Sequence, residues 1–400
     1  MEWRKKLSPG AKETTDIVIS IVFVTTLIAF IINQPVLFMV TGLLVSYILV
    51  STLYDKKIGD QLHLHNKKTE IRLFPKEVGE IELNLHHNSH LPIINGQLTF
   101  TLNYNVKPIN KKFIVKEDEE ETKCQVPFSI YKKGLTTIKI PIKAIKRGTT
   151  KVQHIEIQFP HIVNFHHITL HFHKPYLTEI IVYPEQTIVH GLNDRRQRAI
   201  GEETSPYSLY EDTLYPIGTR GYVPTDSFSR IHWKATARKQ SLQTKVYERS
   251  QNTSTAVIVN ISETSHLGNR YVSPHLEELL SITRYVSQTL LQNGTPTTLF
   301  INAKKLGFPP YRSFQFVNGK QDIQVMLECL ARIKPAELVT NPVTMAYDII
   351  WKKTGPIHYV FIGTWETEFP HIQQQVKQND GQMTLVHHED GETILKGIRT

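Results

Sequence analysis

The sequence predicts a membrane-anchored α+β protein: a two-helix transmembrane hairpin, then a β-sandwich, then an open α/β sheet. Three patterns carry that expectation. Two uncharged apolar runs stand near the N-terminus. Period-two alternation fills the next stretch, and short apolar strands then alternate with helical patterns.

From Ile17 to Ile32 the polar residues are Ser20, Thr25 and Thr26, and a second uncharged run extends from Pro35 to Leu53. Neither run shows the wet face at helical period that marks a soluble amphipathic helix. A bilayer core about 30 Å thick calls for about 20 apolar residues in helix. The second run meets that length, and the first draws on Thr14, Thr15 and Asn33 at its ends. Pro35 suits a first helical turn, where its missing N–H is not needed, so Asn33-Gln34 is read as a tight turn between antiparallel spans. A signal peptide would show one apolar core and a small-residue cleavage site; here a second span follows at once. Arg4, Lys5, Lys6 and Lys12 precede the first span, and Lys56 and Lys57 follow the second. Basic flanks on both outer ends and none in the turn place both ends in the cytoplasm. Residues 1–56 are thus expected to form a multi-pass anchor in the cell membrane, with the soluble domains cytoplasmic. No charge inside either span points to transport.

Two cysteines in 400 residues, Cys124 and Cys329, give no disulfide framework, as in a reducing compartment. A net charge of +9 suits a body held against an anionic leaflet. The lysines and arginines are spread along the chain without a recognition motif, so nucleic acid is not the expected partner.

Residues 57–185 read as β. Ile81, Leu83 and Leu85 alternate with Glu80, Glu82 and Asn84. Leu98, Phe100, Leu102 and Tyr104 alternate with Thr99, Thr101 and Asn103, after a turn signal at Asn95-Gly96. Further strands are expected at 113–115, 124–131, 137–143, 152–159, 168–173 and 180–183, with turns at Gly134 and Gly148. This spacing suggests an immunoglobulin-like sandwich. The acidic run Glu117 to Glu121 reads as a solvated hairpin tip. His161, His166, His167, His171 and His173 invite a metal reading, with His171 and His173 on one strand face. That stretch lacks the four organised ligands of a structural zinc site, so exposed strand histidines are expected.

Residues 186–250 form a linker and a distinctive segment. Residues 185–215 are polar and include the charged stretch Asp194 to Arg198. Then come Arg220, Tyr222, Asp226, Arg230, Trp233, Arg238 and Lys245. Asp226 between two arginines allows a bidentate carboxylate–guanidinium clamp, and Trp233 offers a face on which Arg230 or Arg238 can stack. Such a network is expected to pin the loop rather than to catalyse.

The segment resembles the signature of the bacterial domain-of-unknown-function family 58. Arg220, Tyr222, Asp226, Arg230, Ile231, Trp233, Ala237 and Arg238 match it. Thr225 stands for the signature's glycine, His232 for its second aspartate and Thr236 for its serine. Lys146-Arg147-Gly148, Ile181 to Pro184, Leu276 to Gly294 and Leu327 to Pro335 extend the resemblance over roughly 146–335. A role resting on the second carboxylate does not carry over.

Residues 251–400 read as α/β. Thr255 to Ile261 is a strand suited to burial on both faces. His275 to Gln292 has helical spacing closed by Asn293-Gly294. A strand at 297–301, a helix at 322–333 and strands at 357–362 and 383–386 follow, an order that argues for an open, mostly parallel sheet. Ligands in such sheets bind at the carboxyl ends of strands, near a switch point. There stand Asn260, Ser262 and Thr264, which resemble the metal-ion-dependent adhesion motif of von Willebrand factor A domains with asparagine for its aspartate. The resemblance implies a degenerate Mg²⁺ site. Mg²⁺ binds through carboxylates plus water, so metal binding is expected to be lost unless Glu263 or Glu366 turns inward.

No phosphate loop, zinc helix, nucleophile elbow or dinucleotide fingerprint is present. The expected function is a non-enzymatic, membrane-tethered protein-interaction or adaptor role. The family resemblance implies partnership with a MoxR-type AAA+ ATPase, and with a transglutaminase-like membrane protein, in assembly or maturation of a client complex. The alternative is a cryptic hydrolase or peptidase-like enzyme.

Overall fold

The computed structural model describes residues 2–7, 11–33, 35–59, 61–162, 166–187, 189, 212–248, 254–317, 319–352, 358–365, 369–378, 381–389 and 392–398. Gln34, the polar stretch 190–211 with its Asp194 to Arg198 run, and Glu366 lie outside them. Contacts divide the chain into two units, Met1–Glu185 and Gln186–Thr400.

Two helices open the first unit, Ala11–Ile32 and Pro35–Lys57. The N–H of Asn33, in a left-handed conformation (φ 50°), donates to the Ala29 carbonyl and closes the first helix. Phe30 and Phe38 meet edge to face at 5.7 Å between ring centroids. The 23-residue Pro35–Lys57 is long and apolar enough to cross a membrane, at about 34 Å for ~1.5 Å per residue. Asp16–Ile32 is a shorter apolar helix. Several of their hydroxyls bond within their own helices: Ser20 donates to Asp16 O, Thr26 to Val22 O and Thr41 to Phe38 O. Phe23, Phe30, Ile31, Met39 and Leu43 are all exposed.

The β part follows the alternation. The strand Val78–His87 buries Ile81, Leu83 and Leu85, and Ile93–Asn103 buries Leu98, Phe100 and Leu102. Each such side chain contributes about 1.5–3 kcal/mol by leaving water. One sheet, antiparallel throughout, runs in the order Trp3–Leu7, His167–Phe172, Gln153–Pro160, Ile93–Asn103, Glu121–Ile130, Ile114–Glu117. A second, also antiparallel, orders Leu62–Leu64, Val78–His87, Gly134–Ala144, Val106–Pro108. Their inward residues share one core. A small third sheet holds Gly148–Lys151, Glu179–Val182 and Glu70–Leu73.

Several details differ from the sequence reading. Asn95-Gly96 is not a hairpin turn. It lies inside a strand, where the register against Glu121–Ile130 shifts between Ile93 and Gly96, a β-bulge. Residues 1–56 are not a hairpin alone: Trp3–Leu7 is an edge strand against His167–Phe172, and Trp3, Tyr54 and Ile58 enter the β core. A five-residue strand is too short to show alternation beside a long apolar run. The histidines are not all exposed. His161 is buried against the Tyr54 ring, 4.5 Å between centroids, with Nε2 3.7 Å from Asp55, and burial pushes its imidazole pKa down. His171 Nδ1 meets Glu156 across the sheet at 3.0 Å. The carboxylates absent from the local sequence thus arrive from other elements. Glu117 to Glu121 is an exposed hairpin tip, as expected, closed by the Asp118 N–H donating to Glu121 O.

In the second unit, Asp212–Gly221 and Gln243–Glu248 form an antiparallel ribbon. A six-stranded sheet follows, ordered Tyr311–Phe316, Thr297–Lys304, Thr255–Val259, His358–Ile362, Gln382–Glu389, Glu392–Ile398. Its four central strands are parallel and both edge strands antiparallel. All five residues of Thr255–Val259 are buried, as a strand covered on both faces requires. Helices Pro342–Lys352 and Phe369–Gln378 share one core with Ala256, Ile258, Tyr359 and Phe361. Helix Leu276–Gln292 contacts Thr255–Val259, Thr297–Lys304 and His358–Ile362. Glu277 and Glu278 in its first turn suit the positive end of the helix dipole. The expected strands and helices are present with boundaries shifted by a few residues. The helices Pro342–Lys352 and Phe369–Gln378 and the two antiparallel edge strands were not expected.

Burial pushes the Cys124 thiol up to about 12 and the Cys329 thiol up to about 11, so both stay protonated at neutral pH. Both are free.

Candidate functional site

The segment singled out by its arginines and tryptophan is a folded element. The ribbon strands Asp212–Gly221 and Gln243–Glu248 are joined by a 3₁₀ turn, Phe228–Arg230, and a short helix, Trp233–Lys239. Asp226 is its hub. Its carboxylate accepts two bonds from the Arg220 guanidinium (2.9 and 2.6 Å), one from the Val223 N–H (3.1 Å) and one from the Thr244 hydroxyl (3.1 Å). Arg220, then the Val223 amide, hold its carboxyl below the usual carboxylate range. The expected clamp therefore forms, with Arg220 as the arginine. Arg230 sits in the 3₁₀ turn, its N–H donating to Ser227 O, and the next residue, Ile231, is buried and bridged to Thr244. Tyr222 is tied by its N–H to Leu242 O, and Lys245 pairs with Thr219 in the ribbon.

Two of the three departures from the signature, His232 and Thr236, make local bonds. His232 is the N-cap of the short helix, its Nδ1 accepting from the Ala235 N–H at 3.2 Å. A carboxylate there would accept the same bond. The Thr236 hydroxyl accepts from the Gln243 N–H at 3.0 Å and ties the helix to the returning strand. Trp233 meets the Phe228 ring edge to face, centroids 5.8 Å apart. Trp233, Phe228 and Arg238 are exposed.

A second cluster lies at the carboxyl edge of the six-stranded sheet. The first strand of the domain, Thr255–Val259, pairs with Thr297–Lys304 on one side and with His358–Ile362 on the other. The switch point thus falls between Val259 and Ile362, where this architecture opens its ligand crevice. Here it is bridged. Asn260 Nδ2 donates to Thr364 O (2.7 Å), and the Asn260 N–H donates to Ile362 O (2.9 Å). Gly363 (φ 102°) permits this approach, since a Cβ there would lie 2.2 Å from the Asn260 carbonyl oxygen. Asn260 Oδ1 accepts from the Ser262 N–H (3.0 Å), the Ser262 hydroxyl (2.8 Å) and Asn302 Nδ2 (2.9 Å). Asn302 Oδ1 accepts from the Ile261 N–H (2.8 Å), while Nδ2 also reaches Ser262 Oγ (2.9 Å) and Thr340 O (3.2 Å).

Asn260 and Ser262 are therefore brought together, and both are buried. Thr264 is not with them. It is exposed and pairs with Arg270 in the ribbon Ser262–Thr264/Arg270–Val272. Glu263 turns to the Ser273 and Tyr271 hydroxyls (2.5 and 3.2 Å). The amides and hydroxyl gathered here are neutral and bonded to one another. This donor set does not fit a hard cation, which takes carboxylate oxygen. Among the described residues, no three His, Cys, Asp or Glu side chains gather at metal-binding spacing. Sequence reasoning missed Asn302 and Thr340. The one local sign was an asparagine inside the apolar strand Phe300-Ile301-Asn302-Ala303.

Residues 218–355 match the family described as protein of unknown function DUF58. The uncharacterized protein YeaD of Bacillus subtilis (strain 168) is 27% identical over 153 residues, which are 38% of this chain and 35% of that protein. The chain thus spans about a third of the length of this curated relative. Both findings agree with the resemblance carried by Arg220 to Arg238. Among solved structures, Salmonella alpha-2-macroglobulin reacted with methylamine is 8% identical with a TM-score of 0.21, over 30% of this chain and 10% of that one. A putative membrane anchored protein from Corynebacterium diphtheriae is 12% identical with a TM-score of 0.20, over 32% and 33%. Scores this low bear on neither fold nor function.

Proposed function

We propose that this chain is a non-enzymatic, membrane-tethered interaction protein acting as an adaptor. One observation carries the reading. The crevice in which an open α/β sheet ordinarily takes its ligand is bridged by Asn260, Asn302 and Thr364, so the domain offers partners its outer surfaces. The tether is the apolar helix Pro35–Lys57, with Ala11–Ile32 as its antiparallel companion span. Exposed phenylalanines and leucines along both helices support a lipid environment. The basic flanks support cytoplasmic soluble domains. The two antiparallel sheets around one core support the immunoglobulin-like reading of the first unit. The parallel central strands with helices on both faces support the von Willebrand factor A-like reading of the second, in a form that works without metal.

The partner class we propose is the one the family resemblance implies: a MoxR-type AAA+ ATPase, with a transglutaminase-like membrane protein as a further component, in assembly or maturation of a client complex. Affinity purification of the detergent-extracted full chain tests this. A stoichiometric AAA+ ATPase supports the adaptor. Its absence, together with turnover of ester or peptide substrates by the pure chain, supports the hydrolase alternative.

A further inference from the structure

The short helix Trp233–Lys239 and its approach carry a surface that the adaptor reading does not use. The Phe228 and Trp233 rings meet edge to face yet are 66% and 60% exposed, and Val223 and Leu242 in the same segment are 42% and 44% exposed. Aromatic rings are rarely left in water in such proportion without a partner. The charge along this stretch of sequence has one sign. From Ser227 to Tyr247 the sequence holds Arg230, Lys234, Arg238, Lys239 and Lys245 and no aspartate or glutamate. Of the two carboxylates that flank this window, Asp226 is already paired with Arg220, and Glu248 ends the returning strand. Lys234 and Arg238 stand four residues apart on the helix, so they share a face, and both are exposed. Among the described residues no carboxylate pairs with either.

We infer that Phe228, Trp233, Lys234 and Arg238 form a docking surface for an anionic lipid bilayer. Tryptophan and phenylalanine favour the headgroup–acyl boundary, and lysine and arginine favour anionic headgroups. This combination on one exposed element is the physical signature of interfacial binding. The occupant follows from the charge and from the tether. The four named side chains are basic or aromatic, and the proposed tether, Pro35–Lys57, raises the local concentration of lipid. The inference rests on the membrane-tether part of the proposed function. It adds a second, reversible contact, through which the ribbon and helix lie on the bilayer and are withdrawn when charge is screened.

The test uses the full chain in nanodiscs whose acyl chains carry bromine, which quenches nearby tryptophan. Discs with and without phosphatidylglycerol are compared, for the native chain and for Trp233→Phe. The other three tryptophans are common to both proteins, so the difference reports Trp233 alone. The expected result is quenching of Trp233 in anionic discs that fades with salt and is weak in zwitterionic discs. Lys234→Gln with Arg238→Gln removes two basic contacts, and the docking equilibrium is expected to fall about thirtyfold. Equal quenching in native and Trp233→Phe proteins overturns the inference while leaving the tether intact. So does a Trp233 that is unquenched by lipid yet shielded from iodide, which assigns the surface to a protein partner. A chain that does not co-purify with the discs overturns tether and inference together.

Discussion

Asn302→Ala removes a fully buried side chain that joins Ile261, Asn260, Ser262 and Thr340 at the carboxyl edge of the sheet. The largest loss is the acceptor for the Ile261 N–H. Ile261 is itself fully buried, and a buried donor left without a partner costs about 1–3 kcal/mol. Asn260 Oδ1 keeps its two bonds from Ser262, so the remaining loss is about 1 kcal/mol. The sum, about 3 kcal/mol, raises local opening by roughly two decades. Hydrogen exchange read by mass spectrometry reports this region by region on the full chain in detergent. Peptides spanning 255–262 and 297–304 are expected to exchange about a hundredfold faster, while those around Ile81 in the first unit stay unchanged. Acceleration below about threefold would refute the claim that Asn302 holds the crevice closed. The isosteric Asn302→Asp sharpens the test. Its carboxylate would face Asn260 Oδ1 and Thr340 O, so burial among acceptors raises its pKa in the folded chain. The unfolded chain then loses the proton first as pH rises through about 4, and stability falls with rising pH. The defect is expected to be larger at neutral pH than in acid; a pH-independent defect contradicts the geometry.

Gly363→Ala forces a Cβ into the Asn260 carbonyl at a left-handed φ, and a cost of about 3 kcal/mol is expected from overlap and strain together; a melting temperature within a degree or so of native would count against it. The folded-state pKa of Asp226 is depressed by Arg220 first and the Val223 amide second. Its contribution to stability is therefore present above the unfolded value and lost as pH falls through the folded one. The stability gap between the native chain and Asp226→Asn should accordingly close in acid, and a gap unchanged by acid is the contrary result. His232→Asp places a carboxylate at the N-cap of Trp233–Lys239, where a gain of about 0.5–1 kcal/mol is expected. Lower thermal stability in that variant would show that His232 does more than cap the helix.

The periodicities were legible in the sequence because they are local. Ile81, Leu83 and Leu85 alternate since a pleated strand puts every second side chain on one face, and Thr255–Val259 is continuous since its strand is buried on both. The Arg220–Asp226 clamp was legible too, because its partners stand six residues apart. Asn95-Gly96 misled for the complementary reason. A left-handed asparagine before glycine serves a bulge as well as a turn, and only the partner strand Glu121–Ile130 distinguishes them. His161 and His171 likewise met Asp55 and Glu156, which stand on other elements, outside the histidine-rich stretch.

What the sequence by itself determined, then, was the apolar helix, the strand and helix periods and the clamp, each set by neighbours along the chain. The closed crevice belongs to the tertiary structure. Asn260, Asn302, Thr340 and Thr364 lie about a hundred residues apart end to end, and nothing local to any one of them points to the others. The parallel sheet brings the ends of their strands to one edge, where buried amides with no water to turn to satisfy one another.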